Sequence, residues 1–241
     1  MRVWSLLVLA FAVPAAAGGP WKDKPYTSWT AKDVRKILWN SPWAKLIRTP
    51  YYPDAEYGGP PQSTQTIPVL GSGIPRNEET IELPPPDKAP YRPEGAYVLR
   101  WASSQTIRHA LMRAAALQSH ENRAREDVPI DNSDDEFVFV LVSDSPTPLP
   151  WMNRDALMES ATLHAMSTKE EVSPTRVVIV SDPKLGRNTS VTFYFPKQTP
   201  SGKPLISAGE TSVEFFAKLG PASLRAKFSL GDMLGPNGPD I

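Results

Sequence analysis

Phe137-Val138-Phe139-Val140-Leu141-Val142 decides the fold. Six consecutive apolar residues, five of them β-branched or aromatic, lack the alternation of a strand with one wet face. They predict a central strand covered on both sides. Upstream, Tyr97-Val-Leu-Arg-Trp101 predicts another strand, and Ser103 or Ser104 caps a helix. Ile107, Ala110, Leu111, Ala114 and Leu117 keep that helix in the i, i+3, i+4, i+7 rhythm. Downstream, Pro146, Pro148 and Pro150 break the chain, and Asn153 caps a second helix predicted over about 154–167, with Leu157, Ala161 and Ala165 on one side. Strands are predicted over 176–181 and 190–195, around the turn Asp182-Pro-Lys-Leu-Gly186. The last hairpin is the plainest. Val213, Phe215 and Ala217 alternate, Leu219-Gly-Pro221 turns, and Leu224, Ala226, Phe228 and Leu230 alternate again. The order β-α-β-α-β-β-β-β predicts an α+β domain over 94–241, a largely antiparallel sheet with two helices on one face.

Two segments precede that domain. Residues 21–47 hold four of the seven tryptophans. Thr30 and Asp33 have the spacing of a capping box, and Trp29 with Val34 has that of a hydrophobic staple. A helix over about 31–40 is predicted, followed by one or two further turns from Ser41-Pro42 through Trp43, Leu46 and Ile47. A helix this short is marginal alone, so Trp29, Val34, Ile37, Leu38 and Trp43 are expected to dock this arm (18–47) on the body. Residues 48–93 are rich in proline, including Pro84-Pro85-Pro86, and are read as an extended tether or a strap over the body.

The first 17 residues read as an export signal. Met1-Arg2 is the positive start, Val3 to Val13 the apolar run, and Ala15-Ala16-Ala17 the small-residue cleavage pattern before Gly18. The run is too short to span hydrocarbon, and no later stretch reaches that length. A secreted or periplasmic bacterial protein without a transmembrane span after cleavage is expected. The arm motifs Lys24-Pro-Tyr-x-x-Trp29, Lys32-Asp-Val, Ile37-Leu38 and Ser41-Pro-Trp-Ala44 resemble the opening of a group of uncharacterised secreted bacterial proteins. Tyr97-Val-Leu-Arg-Trp101 and Lys227-Phe-x-Leu-x-Asp-Met233 resemble the same group. The resemblance implies export and a shared architecture, and supplies no activity or catalytic residue.

Composition narrows the chemistry. The 241 residues carry 26 Lys and Arg against 26 Asp and Glu, no excess of the kind that drives nucleic-acid binding. With no cysteine there is no disulfide, thiol catalysis or thiolate metal site. His109 and His120 are eleven residues apart on one helix, about 16 Å at ~1.5 Å per residue, too far to share a metal. No nucleophile-elbow, zincin, dinucleotide or P-loop pattern occurs, and no cofactor or metal is expected. Asp131, Asp134, Asp135 and Glu136 are the candidate catalytic carboxylates. They also resemble a calcium loop, but Glu136 stands where the turn needs glycine. Trp101 and Trp151 are either core-closing residues or stacking platforms for a ligand. The leading expectation is a non-enzymatic binding or envelope-organising module with an unidentified envelope or extracellular partner. The alternatives are a carboxylate-dependent extracellular hydrolase and a calcium-stabilised module.

Overall fold

A computed structural model of the protein describes residues 19–50, 94–118, 135–143, 149, 153–182, 187–220, 222–235 and 238–241. The predicted export signal, Trp151 and the proline-rich stretch beyond Pro50 lie outside the described residues. In chain order come α1 (Pro20–Asp23), a 3₁₀ turn (Tyr26–Ser28), α2 (Ala31–Trp39), β1 (Ala44–Pro50), β2 (Glu94–Trp101), α3 (Gln105–Gln118) and β3 (Glu136–Ser143). They are followed by α4 (Arg154–Ser160), β4 (Thr162–Ala165), β5 (Glu171–Val172), β6 (Arg176–Asp182), β7 (Arg187–Pro196), β8 (Ser212–Leu219) and β9 (Ala222–Ser229). A short pair, β10 (Leu234–Gly235) with β11 (Gly238–Pro239), ends the chain.

The architecture is α+β with antiparallel pairing throughout. β1-β2-β3-β7-β6 form a five-stranded sheet and β5-β4-β8-β9 a four-stranded one. Phe139 and Phe193 of the first sheet meet Phe215 of the second at ring separations of 5.7 and 5.1 Å. The two sheets therefore pack face to face over one aromatic core, where the periodicity predicted a single sheet. β3 sits between β2 and β7. Its inward residues Phe137, Phe139 and Leu141 fill that core, while Val138 packs on the opposite face with Ala102 and Tyr194. Burial on both faces is what its unbroken apolar run requires. In β8 and β9 alternate residues point inward, with Phe215, Ala217, Leu224 and Phe228 fully buried.

Two predicted helical stretches are strands. Residues 44–50 pair along their whole length with β2, from Ala44 with Arg100 to Pro50 with Glu94. Ser41 does not open a new helix. Its hydroxyl donates back to the Ile37 carbonyl at 2.7 Å and closes α2. Ile47 and Thr49 are then buried and Leu46 and Arg48 exposed, which is a period of two. The second helix stops at Ser160, and β4 begins two residues later. Leu157, Ala161 and Ala165 have the spacing of a helix. The same four-residue step is two strand repeats, and buried Leu163 between Ala161 and Ala165 decides for the strand. The Asn153 cap holds, its side chain accepting from the Asp155 amide at 2.8 Å.

Candidate functional site

The N-terminal elements build a helical layer on the sandwich. Thr30 and Asp33 form a complete capping box, the Asp33 amide donating to Thr30 Oγ1 at 3.2 Å and the Thr30 amide to Asp33 Oδ2 at 3.0 Å. Trp29 and Val34 close the staple from inside the core. The Trp29 indole donates to the carbonyls of Pro20 and Lys24, both at 3.2 Å, and so holds α1 against the start of α2. Trp21 meets Trp43 edge-on at 5.6 Å. Cations hold α2 at both ends. Arg113 of α3 donates to the Trp29 carbonyl at 2.9 Å, and Arg100 of β2 to the Leu38 carbonyl at 2.9 Å while lying over the Trp39 ring. A cation at the last carbonyls of a helix also complements its dipole.

The C-terminal end of the chain fixes the same layer. Asp240 accepts the Gln105 and Thr106 amides at 2.5 and 2.8 Å, capping α3, and its carbonyl accepts from the Trp43 indole at 2.6 Å. These are orphan amides of a helix start, the groups a carboxylate serves best.

With Val34, Ile37 and Leu38 in the core, α2 turns the opposite stripe outward: Lys32, Arg35, Lys36 and Trp39, at i, i+3, i+4 and i+7. Between this stripe and α1 runs an open groove of about 560 Å³ that also borders Asp23 and Lys24. Asp33 offsets part of the positive charge, chiefly that of Lys24. Its carboxylate is bound by the backbone and hydroxyl of Thr30 and then by Lys24 at 3.1 Å, which together hold its pKa at about 2. Lys32, Arg35 and Lys36 are exposed and make no salt bridge among the described residues. Residues 19–50 hold seven Lys and Arg against two Asp, and residues 94–118 three against one Glu. These two segments thus carry a net positive charge.

Tyr26 stacks on His109 of α3 with ring centroids 4.1 Å apart. Burial, and then the neighbouring Arg108, pull the imidazole below the ordinary histidine value of 6.5, against a weaker opposite pull from Asp240. A histidine lowered on folding takes up its proton more readily in the unfolded chain. Its contribution is therefore complete above pH 6.5 and declines as the pH falls below that value. The melting temperature should drop on going from pH 7.5 to 5.5, and His109→Gln should reduce that drop by up to a few degrees. An identical pH profile in the variant would refute this role.

The other expected site residues do not converge. Trp29, Val34, Ile37, Leu38 and Trp43 are all buried in the main core. Trp101 is fully buried, 4.7 Å from Phe139 and 5.4 Å from both Phe137 and Phe228. It closes the core and has no face for a ligand. Asp131 and Asp134 lie outside the described residues. Asp135 is exposed in the turn before β3, and the Glu136 carboxylate accepts from the Thr175 hydroxyl. Among the described residues no three His, Asp or Glu side chains stand close enough to hold a metal, and no helix is long and apolar enough to cross a membrane.

Sequence reasoning assigned the buried side of α2 and passed over the exposed one. Its signal was there, a Lys-x-x-Arg-Lys-x-x-Trp spacing complementary to the apolar stripe. The wall formed by α1 had no such signal, because a four-residue turn has no period. No protein-family model matches the chain, and no curated protein or solved structure shows a detectable similarity to it.

Proposed function

We propose that the protein is an exported, non-catalytic binding module of the bacterial envelope, and that it presents its ligand surface on the α1–α2 layer. The observation that carries this reading is the groove along which the exposed Lys32, Arg35 and Lys36 share one helical stripe with the half-buried Trp39. Such a surface does not fit a catalytic role. The groove brings cations and an indole together, and of its two acids Asp33 is held ionised by its cap and by Lys24. It does fit recognition, since the side chains rest on a helix held at both ends and little ordering remains to be done on binding. Export is supported by the charge, apolar run and small-residue order of the first 17 residues and by the resemblance of the arm to secreted bacterial proteins. The carboxylate hydrolase and the calcium module gain no support from Asp135 and Glu136.

Fractionation of a Gram-negative host expressing the full chain with a C-terminal tag tests export. The tagged protein should appear in the periplasmic fraction with Gly18 as its first residue. Cytosolic retention with Met1 in place would overturn the localisation. Sedimentation of the mature protein with isolated envelope fragments tests binding, and a protein left wholly in the supernatant would remove the module reading.

A further inference from the structure

Resting on that reading, we infer that the α1–α2 groove binds an acidic polysaccharide, a sugar chain bearing carboxylates at regular intervals. Lys32, Arg35 and Lys36 follow one another over four residues, about 6 Å at ~1.5 Å per residue, with Trp39 one turn further along, while Lys24 on the facing side is paired with Asp33. A small anion held by these cations leaves Trp39 uncovered, whereas a sugar chain can meet the cations and lie along the indole. Trp39 ends the stripe as a half-buried ring held by Arg100 at 5.5 Å. A flat indole beside ammonium and guanidinium groups matches the two faces of an acidic sugar, the C–H face packing on the ring and the carboxylates pairing with the cations. A membrane surface is disfavoured by the same helix. Its apolar residues Val34, Ile37 and Leu38 are committed to the core, and the half-buried Trp39 is the one ring of this helix left to meet a headgroup region.

The test titrates the mature protein with polygalacturonate, with its fully methyl-esterified form, and with vesicles of phosphatidylglycerol, following tryptophan fluorescence and sedimentation. Binding of the free acid, with the ester at least about tenfold weaker and an affinity that falls as salt rises, is the expected result. Lys32→Glu with Arg35→Glu should weaken it about tenfold. Lys203→Glu with Lys218→Glu, an equal charge change at exposed sites elsewhere, should alter it less than about twofold. Trp39→Ala should cost about fivefold and leave the salt dependence unchanged. Unaltered melting temperatures keep the comparison valid. If a variant melts early, Lys32→Gln with Arg35→Gln replaces it. Equal binding of acid and ester, equal loss in both charge-reversed pairs, or binding to the vesicles alone would each overturn the inference. Binding to envelope fragments without binding to polygalacturonate would reject the polysaccharide and leave the module reading standing.

Discussion

Replacing Phe139 by alanine should destabilise the protein by about 3–5 kcal/mol, the range for removing a large aromatic from a packed core. Phe139 is fully buried at the centre of β3, and its ring lies 4.7 Å from Trp101, 5.9 Å from Phe195, 5.7 Å from Phe215 and 5.5 Å from Phe228. Phe215 and Phe228 belong to the opposite sheet, so the side chain is the joint across which the two sheets adhere. Its loss leaves a cavity lined from both sides, which neither sheet can fill by itself without separating from its own neighbours. A domain of this size is stable by about 5–15 kcal/mol in total, so the variant should sit near the threshold of folding. Urea unfolding followed by tryptophan fluorescence measures the difference, with Trp101 as the local reporter. Phe139→Leu should restore most of the loss because it refills most of the volume. A cost below about 1 kcal/mol for the alanine variant would mean that the sheets do not meet at this residue.

The elements that sequence reading recovered are those whose local period has one solution. The β8–β9 hairpin alternates over both strands, and nothing in it also fits a helix. The capping box at Thr30 and Asp33 is local chemistry that needs no tertiary partner. Residues 44–50 and 162–165 are different. Leu46 with Ile47, and Ala161 with Ala165, suit either period, and the choice is made by strand partners more than forty residues away, β2 and β8. Long-range pairing overrides local preference in just such short segments. The division into two sheets was equally beyond local reading, since alternation says which residues face inward and not which sheet they face. The tie from Asp240 to the start of α3 spans about 135 residues and leaves no trace in any window.

The candidate groove shows the same division. Its cations and its tryptophan follow from the helix that the apolar residues define, because a buried stripe fixes an exposed one. What made them a groove is the Trp29 indole reaching the carbonyls of Pro20 in α1 and of Lys24 just after it, a contact that depends on how the chain turns at Pro25. A carboxylate-centred search looked elsewhere. Asp33, which lines the groove, is occupied by its cap, and Asp135 and Glu136 are not among the groove residues.

Glu210→Ala should cost about 2–4 kcal/mol, although the residue lies in a loop and not in either sheet. Its side chain is buried, and its two oxygens accept the amides of Ser167 at 2.9 Å, Thr168 at 3.2 Å, Thr211 at 3.2 Å and Ser212 at 3.3 Å. One carboxylate thus ties the turn after β4 to the start of β8, two segments that must be held together for the four-stranded sheet to keep its register. Removing it strands the buried Ser212 amide and breaks the charge-assisted bonds of the part-buried Ser167, Thr168 and Thr211 amides, and an unsatisfied buried donor costs about 1–3 kcal/mol. Burial alone would raise the pKa of this group. The hydrogen bonds from Ser167, Thr168 and Ser212 outweigh burial and hold it below the ordinary value of 4.5. A carboxylate lowered on folding stabilises fully above the unfolded value, and that stability is lost as the pH falls through the folded one. The native protein should therefore lose stability below pH 4.5 more steeply than Glu210→Ala, whose curve should be flatter there and lower throughout the neutral range. Glu210→Gln should fall between them at pH 7, since one oxygen remains an acceptor while the new amide group faces other donors. If the alanine variant matched the native protein at neutral pH, the four amides would have to find partners elsewhere, and the loop would not be what aligns β4 with β8.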